Sequence, residues 1–495
     1  MTSYTKRVVQ GAGYVFMMSI LAAIISFFTR IILARELGPK DYGLFYAVYT
    51  LIFFFLFFRD LGVNAALVKY IPEFKVKKKF NAIKTSIVSV IIMQVISSTV
   101  LITGFLIASN YLVKNYFKNP DSKVIIILLL LYVVGSIFFR LYKRVFQGLQ
   151  KIKLYALFEP LKNITFLLLT LLFFRMNLGV YAPALAYAIL CFLLVIIFTP
   201  VLLKNFNFFS YKVKNTGKIT KLLLMFGLPL FATAIGGKFI SNIDTLILTN
   251  FANLTAVGIY NVILPSASLF LYFGSAISSV MFPLVSELWA KKDKKTISTS
   301  ISLIHRYSFL IILPPALIIL SFAKLFIEVF FGIDYISGAV ALQILIIGML
   351  FYVVAGINHN IISAIGRPQT VAKIIISAAI LNTVANIILI PRFGINGAAI
   401  STTLSYILAL ILSTNRVLYY VKAEFPKKIW LKLFFAGAVF ISVILIITQS
   451  LLLNIWLEAI IAISVAGLIY LVMVYYMNVI DIDEIKKHIK LLRRN

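Results

Sequence analysis

One sequence feature constrains this chain more than any other: apolar runs long enough to cross a lipid bilayer follow one another along its length. A helix needs about 20 apolar residues to cross a hydrocarbon core of about 30 Å. Strands of a membrane barrel alternate polar and apolar residues, and these runs do not. With 62% hydrophobic residues, the chain also has too little polar surface for a soluble domain. The sequence therefore predicts an all-α polytopic membrane protein.

We predict about fourteen membrane-spanning helices. They lie near residues 11–34, 42–70, 82–110, 123–147, 153–174, 179–203, 219–250, 254–289, 299–322, 338–364, 370–391, 395–419, 429–449 and 455–478. Several exceed the length that a bilayer requires and contain internal glycine or proline, so bending is expected. The first run is too long for the core of a signal peptide, and we expect it to be retained as the first span.

The formal net charge of the chain is +31. The basic residues are dispersed among short loops between the helices, which argues against a nucleic-acid-binding protein. They are concentrated in the N-terminus and in every second loop, where the positive-inside rule places the cytoplasm. We therefore expect a multi-pass protein of the cell (cytoplasmic) membrane with both termini in the cytoplasm. The tail from Ile480 to Asn495, with its basic residues between Lys486 and Arg494, is expected to form a short amphipathic helix on the cytoplasmic leaflet.

The segment Arg30 to Tyr46 recurs about 215 residues later as Asp244 to Tyr260. Gly43 aligns with Gly258 in this match, and both are candidate hinges of an outer gate. Three further matches keep the same order and spacing: Glu73 to Lys78 with Glu287 to Lys292, Gly148 to Lys151 with Ala364 to Arg367, and Gly179 to Ala184 with Gly394 to Ala399.

Each repeat holds six spans, so the two halves enter the membrane the same way round. Parallel repeats are related by an axis along the membrane normal and leave a central cleft between them. We expect a first six-helix bundle at residues 1–210 and a second at 211–423. A C-terminal two-helix addition with the basic cytoplasmic tail follows at 424–495.

This architecture resembles the Wzx-like polysaccharide and oligosaccharide flippases. The first-loop pattern Leu-Gly-x-x-x-Tyr-Gly at residues 37–43, followed by Asp60-Leu61-Gly62, is similar to theirs. That family belongs to the multidrug/oligosaccharidyl-lipid/polysaccharide exporter superfamily, with the lipid II flippases and the multidrug exporters. The resemblance covers nearly the whole chain. It implies inward- and outward-open states that move a polyprenyl-linked glycan across the membrane.

No motif for hydrolysis, group transfer or nucleotide binding is apparent. The histidines His305, His359 and His488 are scattered and lack the spacing of metal ligands. A single cysteine, Cys191, excludes an intramolecular disulfide. We therefore expect neither an enzyme nor a bound cofactor or metal. We expect His359 to form a hydrogen bond between helices.

Ionisable residues inside the spans form the candidate site. A charge at the bilayer centre costs at least about 2.5–3.5 kcal/mol on insertion scales, so such a residue needs a cavity or a partner. The candidate substrate-binding cations are Arg30, Arg59, Lys162 and Lys238. They would replace the hydration of a polyprenyl (pyro)phosphate, which arginine can bind bidentately. The lipid II flippases are similar in lining their cavity with bases, several of them on the two helices that correspond to those of Arg30 and Arg59.

Three acids inside the spans are candidates for ion coupling or for counter-ions of nearby cations: Asp60, Glu159 and Asp244. Structural alternatives stay open for the cations. Arg59 could mark a bend before Gly62, and Arg30 could extend to the outer interface. Lys162 could form an intrahelical pair with Glu159, three residues before it.

The leading hypothesis is a flippase that translocates a polyprenyl-(pyro)phosphate-linked oligosaccharide across the cytoplasmic membrane by alternating access. It would serve the assembly of a cell-surface polysaccharide or glycan. Its expected partners are the lipid-linked oligosaccharide, membrane lipids, and glycosyltransferases or a polymerase or ligase of the same pathway. The alternative is a cation-coupled multidrug or metabolite exporter, whose cationic substrates an excess of intramembrane bases would repel. A non-transporting scaffold would leave the buried charges without a purpose.

Overall fold

The structure is a computed structural model, and it describes residues 3–422, 425–450 and 454–479. Within these ranges the regular structure is helical with no strand, which confirms the all-α prediction. Twelve helical stretches in the described ranges are long and apolar enough to cross a membrane. Continuous helix suits such runs, because it pairs backbone N–H and C=O groups where no water is available. The tail for which an amphipathic helix is predicted lies outside the described residues.

The described residues form fifteen α-helices. The first seven are α1 (Ser3–Phe58), α2 (Val63–Val76), α3 (Phe80–Tyr111), α4 (Ser122–Gly148), α5 (Ile152–Arg175), α6 (Tyr181–Asn205) and α7 (Thr216–Phe251). The others are α8 (Leu254–Ala267), α9 (Phe270–Ala290), α10 (Lys294–Ser321), α11 (Ala323–Phe331), α12 (Ala339–Ala364), α13 (Pro368–Val421), α14 (Lys427–Ser450) and α15 (Ile455–Tyr476).

The two longest helices, α1 and α13, each bend once at a glycine. Gly38 in α1 has φ +67° and precedes Pro39, and Gly394 in α13 has φ +55° and follows Pro391. Positive φ favours glycine, and proline removes a helical hydrogen bond, so neither helix continues straight. These bends divide α1 into a first arm (residues 3–37) and a second arm (39–58). Dividing α1 and α13 in this way would give fourteen segments, but the exact number of spans stays a prediction.

Matched turns of the predicted repeat have similar local structure. An ion pair of 2.6 Å joins Glu73 to Lys77 just before one turn, and one of 2.7 Å joins Glu287 to Lys291 before its counterpart. Positive φ values recur at aligned positions: Lys78 and Lys292, Gln150 and Gly366, and Gly179 and Gly394. The local structure therefore agrees with a chain built from two similar halves. The limits of the two six-helix bundles stay a prediction.

The helices divide into two compact units, Met1–Val262 and Ile263–Asn495. In the first unit, α4 packs closely on α6, because a Cβ on Gly135 would lie 2.9 Å from the Cβ of Cys191. The first arm of α1 approaches α5, where the amide of Asn163 donates to the carbonyl of Ala22 at 2.7 Å. All the candidate site residues predicted above lie in this unit.

In the second unit, α12 packs against α9, α10 and α13. A buried histidine joins α10 to α12: Nδ1 of His305 lies 2.8 Å from the carbonyl oxygen of Ile301 in α10, and Nε2 lies 2.9 Å from Oδ1 of Asn358 in α12. The sequence predicts such an interhelical bond for His359 instead. That prediction is wrong, because Nε2 of His359 has no hydrogen-bond partner among the described residues.

Candidate functional site

An aromatic cluster lies beside the second arm of α1 in the interior of the first unit. Tyr49 stacks on Phe53 with 3.9 Å between ring centroids, and Tyr187 of α6 lies 5.3 Å from Tyr49. Tyr132 of α4 stacks on Phe53 at 4.9 Å. Tyr46, Tyr49 and Phe53 are spaced at i, i+3 and i+7, so they share one face of the helix. We call Tyr46, Tyr49, Tyr132 and Tyr187 the tyrosine cluster.

Arg30 reaches the tyrosine cluster from the first arm of α1. Its Cζ lies 4.9 Å from the centroid of the Tyr46 ring, which is a cation–π contact. Its Nη1 donates to the backbone carbonyl of Asn261 in α8 at 3.2 Å. The hydroxyl of Tyr42 donates to the same carbonyl at 3.5 Å. These contacts hold the half-buried guanidinium between both arms of α1 and the middle of α8.

Arg59 lies just after the end of α1 and is only 3% exposed. Its Nη1 donates to the carbonyl of Val133 at 2.8 Å and to the hydroxyl of Ser136 at 3.0 Å, both in α4. A third contact, at 3.5 Å, reaches the hydroxyl of Ser98 in α3. This guanidinium therefore joins three helices, which favours the structural alternative for Arg59.

Arg140 of α4 is a cation that the sequence analysis did not include. It is half-buried and interacts electrostatically with Tyr132 and Asp60. Arg59 is another electrostatic neighbour. The signal for Arg140 in the sequence is its spacing, because Tyr132, Ser136 and Arg140 recur every four residues and so share one face of α4.

Lys238 of α7 lies near Arg140. Its Nζ donates to Oδ1 of Asn242 on the same helix at 3.4 Å, and its charged neighbour is Arg140. Neither cation forms an ion pair in the part of the chain that the structure describes. Two like charges that form no ion pair with a carboxylate repel each other, so an anion bound there would stabilise both.

Lys162 of α5 is paired with an acid. Its Nζ lies 2.8 Å from Oε2 of Glu159, and Oε1 of Glu159 lies 2.5 Å from Nζ of Lys143 in α4. The intrahelical pair is therefore present, and it extends to a second helix. One carboxylate between two ammonium groups leaves one positive charge. Lys162 also interacts electrostatically with Tyr49 and Tyr132 of the tyrosine cluster.

Asp60 lies where the chain passes from α1 to α2. Its Oδ1 accepts hydrogen bonds from the side-chain amides of Asn64 in α2 and, at 3.3 Å, Gln94 in α3. Because it interacts electrostatically with both Arg59 and Arg140, its position favours a counter-ion role.

Asp244 lies at the junction of α7 and α8 and is 1% exposed. Its Oδ2 accepts a hydrogen bond of 2.6 Å from the hydroxyl of Tyr260. The next residue on each helix forms a second pair: the side-chain amide of Asn261, after Tyr260, donates to the hydroxyl of Thr245, after Asp244, at 3.1 Å. The junction of α7 and α8 is thus held by two adjacent polar pairs, and Arg30 donates to the backbone of one of them.

The two candidate hinge glycines, Gly43 and Gly258, lie against each other. A Cβ on Gly43 would lie 1.8 Å from the carbonyl oxygen of Leu254, and a Cβ on Gly258 would lie 1.9 Å from that of Pro39. The contact is reciprocal, since each glycine meets the residue four positions before the other. Close backbone approach, which small residues permit, therefore explains glycine at both positions. A hinge motion at this crossing stays a prediction.

A second glycine pair lies between α2 and α7. A Cβ on Gly62, which has φ +75°, would lie 2.1 Å from the carbonyl oxygen of Gly227. Between the two glycine contacts, Phe54 lies 5.1 Å from Phe239 by ring centroids. The second arm of α1 therefore runs beside α7, the helix that carries Lys238.

The interior of the first unit holds an excess of positive charge. Six cations meet there: Arg30, Arg59, Arg140, Lys143, Lys162 and Lys238. Their electrostatic neighbours include two carboxylates, Asp60 and Glu159. Asp244 is a third, buried carboxylate of this unit, so six cations less three carboxylates leave three positive charges in helices of membrane-spanning length. Guanidinium and ammonium donors beside phenol hydroxyls suit an anion rich in oxygen, such as a phosphate ester.

Comparisons with known proteins identify the family of the chain. The chain matches the family described as polysaccharide biosynthesis protein over residues 8–289, and the MatE family over residues 229–388. It is 29% identical to an uncharacterized membrane protein of Methanocaldococcus jannaschii, over 99% of this chain and 100% of the other. It is 25% identical to the probable low-salt glycan biosynthesis flippase Agl15 of Haloferax volcanii, over 83% of each chain.

The fold is also similar to that of a solved lipid II flippase, MurJ, in an inward closed conformation. The TM-score is 0.77 at 18% identity, and the alignment covers 94% of this chain and 99% of that one. At this identity, the similarity concerns the fold alone. The first family match covers more than half of the residues. The chain therefore belongs to the polysaccharide biosynthesis protein family, the Wzx-like flippases of the multidrug/oligosaccharidyl-lipid/polysaccharide exporter superfamily.

Proposed function

We propose that this protein translocates a polyprenyl-(pyro)phosphate-linked oligosaccharide across the cytoplasmic membrane by alternating access. The glycan would serve a cell-surface polysaccharide or another glycan of the envelope. The observation that carries the proposal is the pair of Arg140 and Lys238, two neighbouring cations without an ion pair among the described residues. Family membership supports a flippase, and this pair supports a substrate with a phosphate group.

The phosphate group binds between Arg140 and Lys238, and Lys162 is linked to this site through Tyr132, an electrostatic neighbour of both Arg140 and Lys162. A (pyro)phosphate brings two or more negative charges, which offset much of the excess positive charge in this interior. Arginine supplies paired donors, and lysine supplies a mobile point charge. Arg59 contributes its charge while its donors hold α3 and α4. The hydrocarbon tail stays in the bilayer, so only the charged and sugar parts pass through the protein.

The tyrosine cluster places rings and hydroxyls beside the proposed phosphate site. Tyr132 is an electrostatic neighbour of Arg140, and Tyr49 is an electrostatic neighbour of Lys162. Phenol rings offer both an apolar face and a polar edge, which suits a sugar attached to the phosphate. This position makes Tyr49 and Tyr187 the candidate contacts for the first sugar.

The repulsion among the interior cations also links binding of the anionic substrate to the conformation of the protein. A bound anion relieves the repulsion among the cations, and the repulsion returns when the anion leaves. A ligand shifts a conformational equilibrium only by its difference in affinity for the two states. The phosphate therefore favours the state in which α4 and α7 bring Arg140 and Lys238 together.

Proteoliposomes test this proposal. The purified chain is reconstituted with a polyprenyl diphosphate that carries N-acetylglucosamine, and arrival of the sugar at the opposite leaflet is measured with a soluble lectin. Arg140→Gln and Lys238→Gln should each slow transport about tenfold or more, because a hydrogen bond to a charged group contributes about 1.5–3 kcal/mol. Lys123→Gln is the matched control, because Lys123 is an exposed cation at the other end of α4. Wild-type rates in both interior variants would overturn the proposed phosphate site.

The MatE match keeps a cation-coupled exporter as a second candidate. That function predicts an essential carboxylate, for which Asp244 is the buried candidate. The excess of positive charge in the first unit opposes cationic substrates. Export of a cationic dye that depends on Asp244 and is unaffected by Arg140→Gln would favour the exporter over the flippase.

A further inference from the structure

A pocket lined by lysines lies between the α2–α3 turn and the start of α7, away from the proposed phosphate site. Its volume is about 640 Å³. Five ammonium groups surround it, those of Lys78, Lys79, Lys214, Lys218 and Lys221. We call this cavity the lysine pocket. All five lysines lie within the first compact unit.

Among the described residues, no acid lies in the lining of the lysine pocket to neutralise it. The sequence has no Asp or Glu between Glu73 and Asp121, nor between Glu159 and Asp244. Glu73 itself is paired with Lys77 at 2.6 Å. Five like charges around one cavity therefore favour an anion from outside the chain.

Hydrogen bonds hold the loop before α7 against the start of α3. The backbone N–H of Lys212 donates to Oδ1 of Asn81, and that of Lys214 donates to the hydroxyl of Thr85, both at 3.0 Å. The ring of Tyr211 stacks on Phe80 at 5.2 Å. The positive-inside rule concerns the number of basic residues in each loop, and it does not require residues from two distant loops to surround one cavity.

One wall of the lysine pocket is apolar. Phe74, Ile219, Leu222 and Met225 line it, and Met225 is 68% exposed. Helix α7 continues from this wall as a stretch of membrane-spanning length that ends at Phe251. A ligand that fits both walls has an anionic group and a hydrocarbon chain, which inorganic phosphate lacks.

We propose that the lysine pocket binds the phosphate group of an anionic bilayer lipid and that this lipid regulates the protein. The phosphate lies among the five lysines, and one hydrocarbon chain follows Leu222 and Met225. A lipid held in this way joins the α2–α3 turn to α7 and supports the Gly62–Gly227 contact. Transport and stability therefore depend on the anionic lipid content of the membrane. This inference stands apart from the identity of the transported substrate.

The experiment compares the full chain in nanodiscs of phosphatidylcholine with and without phosphatidylglycerol. The pocket variant replaces Lys78, Lys214 and Lys218 by glutamine. The control variant replaces Lys292, Lys294 and Lys295, which lie around the turn between α9 and α10, so both variants lose the same charge. Phosphatidylglycerol should raise the thermal midpoint of the wild type and the control, while the pocket variant should lose most of that increase. Native mass spectrometry should show fewer phosphatidylglycerol molecules retained by the pocket variant.

Three results would overturn the inference. The first is an equal increase of the midpoint in the pocket variant. The second is the same increase when inorganic phosphate is added to phosphatidylcholine nanodiscs, which would indicate a soluble anion. The third is stabilisation by polyprenyl phosphate but not by phosphatidylglycerol, which would indicate a substrate site. If the pocket variant does not fold, Lys214→Gln and Lys218→Gln are measured singly, and each should reduce the increase.

Discussion

Gly43 and Gly258 lie backbone to backbone where α1 crosses α8, and each meets the residue four positions before the other. We predict that Gly43→Ala and Gly258→Ala separate the two helices, because the added Cβ would lie within 2 Å of a carbonyl oxygen in either variant. Overpacking of this kind costs about 1–3 kcal/mol. This cost disfavours the conformation in which α1 and α8 are in contact. Transport in proteoliposomes should therefore fall, while insertion into the membrane should be unchanged.

Gly104→Ala is the control for this prediction. Gly104 lies in α3, and a Cβ there would meet nothing within 4 Å. Alanine also has a higher helix propensity than glycine, so this variant should transport at the wild-type rate. Normal transport by Gly43→Ala would show that the crossing opens freely and does not gate the protein.

The second prediction concerns Arg59, whose guanidinium joins the end of α1 to α3 and α4. Arg59→Met should lower the free energy of unfolding by about 1–3 kcal/mol, because it removes the hydrogen bonds that this buried guanidinium donates to Ser98, Val133 and Ser136. The thermal midpoint in detergent measures this loss. Arg140→Gln should change the midpoint much less, because it also removes repulsion with Lys238. Wild-type stability of Arg59→Met with loss of transport would instead assign Arg59 to the substrate.

Local chemistry explains why the bends were predictable. Gly38 precedes Pro39, and Gly394 follows Pro391, so the sequence itself shows where each long helix cannot continue straight. The ion pair of Glu159 and Lys162 follows from their spacing of three residues. These features depend on neighbours in the chain, which a sequence displays directly.

Distant contacts were not predictable in the same way. The partner of Arg59 at Val133 lies 74 residues away, and no local pattern links the two. The repeat aligns Gly43 with Gly258 but does not show that equivalent residues touch. Arg140 has a local signal, its spacing from Tyr132, but it lies close to a basic helix end and resembles a loop residue. Site residues that depend on tertiary contacts therefore needed the structure.

The third prediction separates the roles of Asp244 and Tyr260. Tyr260→Phe removes a donor that lies 2.6 Å from the buried carboxylate. The loss of a hydrogen bond to a buried charged group should destabilise the protein by about 1–3 kcal/mol. If Asp244 serves the α7–α8 junction, Asp244→Asn should also lower the thermal midpoint while transport stays independent of sodium and proton gradients. If transport by the wild type depends on an ion gradient and transport by Asp244→Asn does not, with an unchanged thermal midpoint, then Asp244 couples an ion to transport.

The last prediction concerns pH and Asp293, which precedes α10 outside the membrane-spanning stretches. Its carboxylate accepts hydrogen bonds from the hydroxyl of Thr296 at 2.6 Å and from the backbone N–H of Thr296 at 3.0 Å, and these bonds lower the pKa of Asp293 below its ordinary value of 3.8. A lowered pKa means that the folded state binds this proton less readily than the unfolded state, so the cap contributes stability above pH 3.8 and loses it as the pH falls through the folded-state pKa. Asp293→Asn keeps a capping oxygen without a titrating group. The thermal midpoint of the wild type should therefore fall more steeply than that of Asp293→Asn between about pH 5 and about pH 3, since other carboxylates titrate equally in both. Parallel curves would show that the cap does not contribute to acid sensitivity.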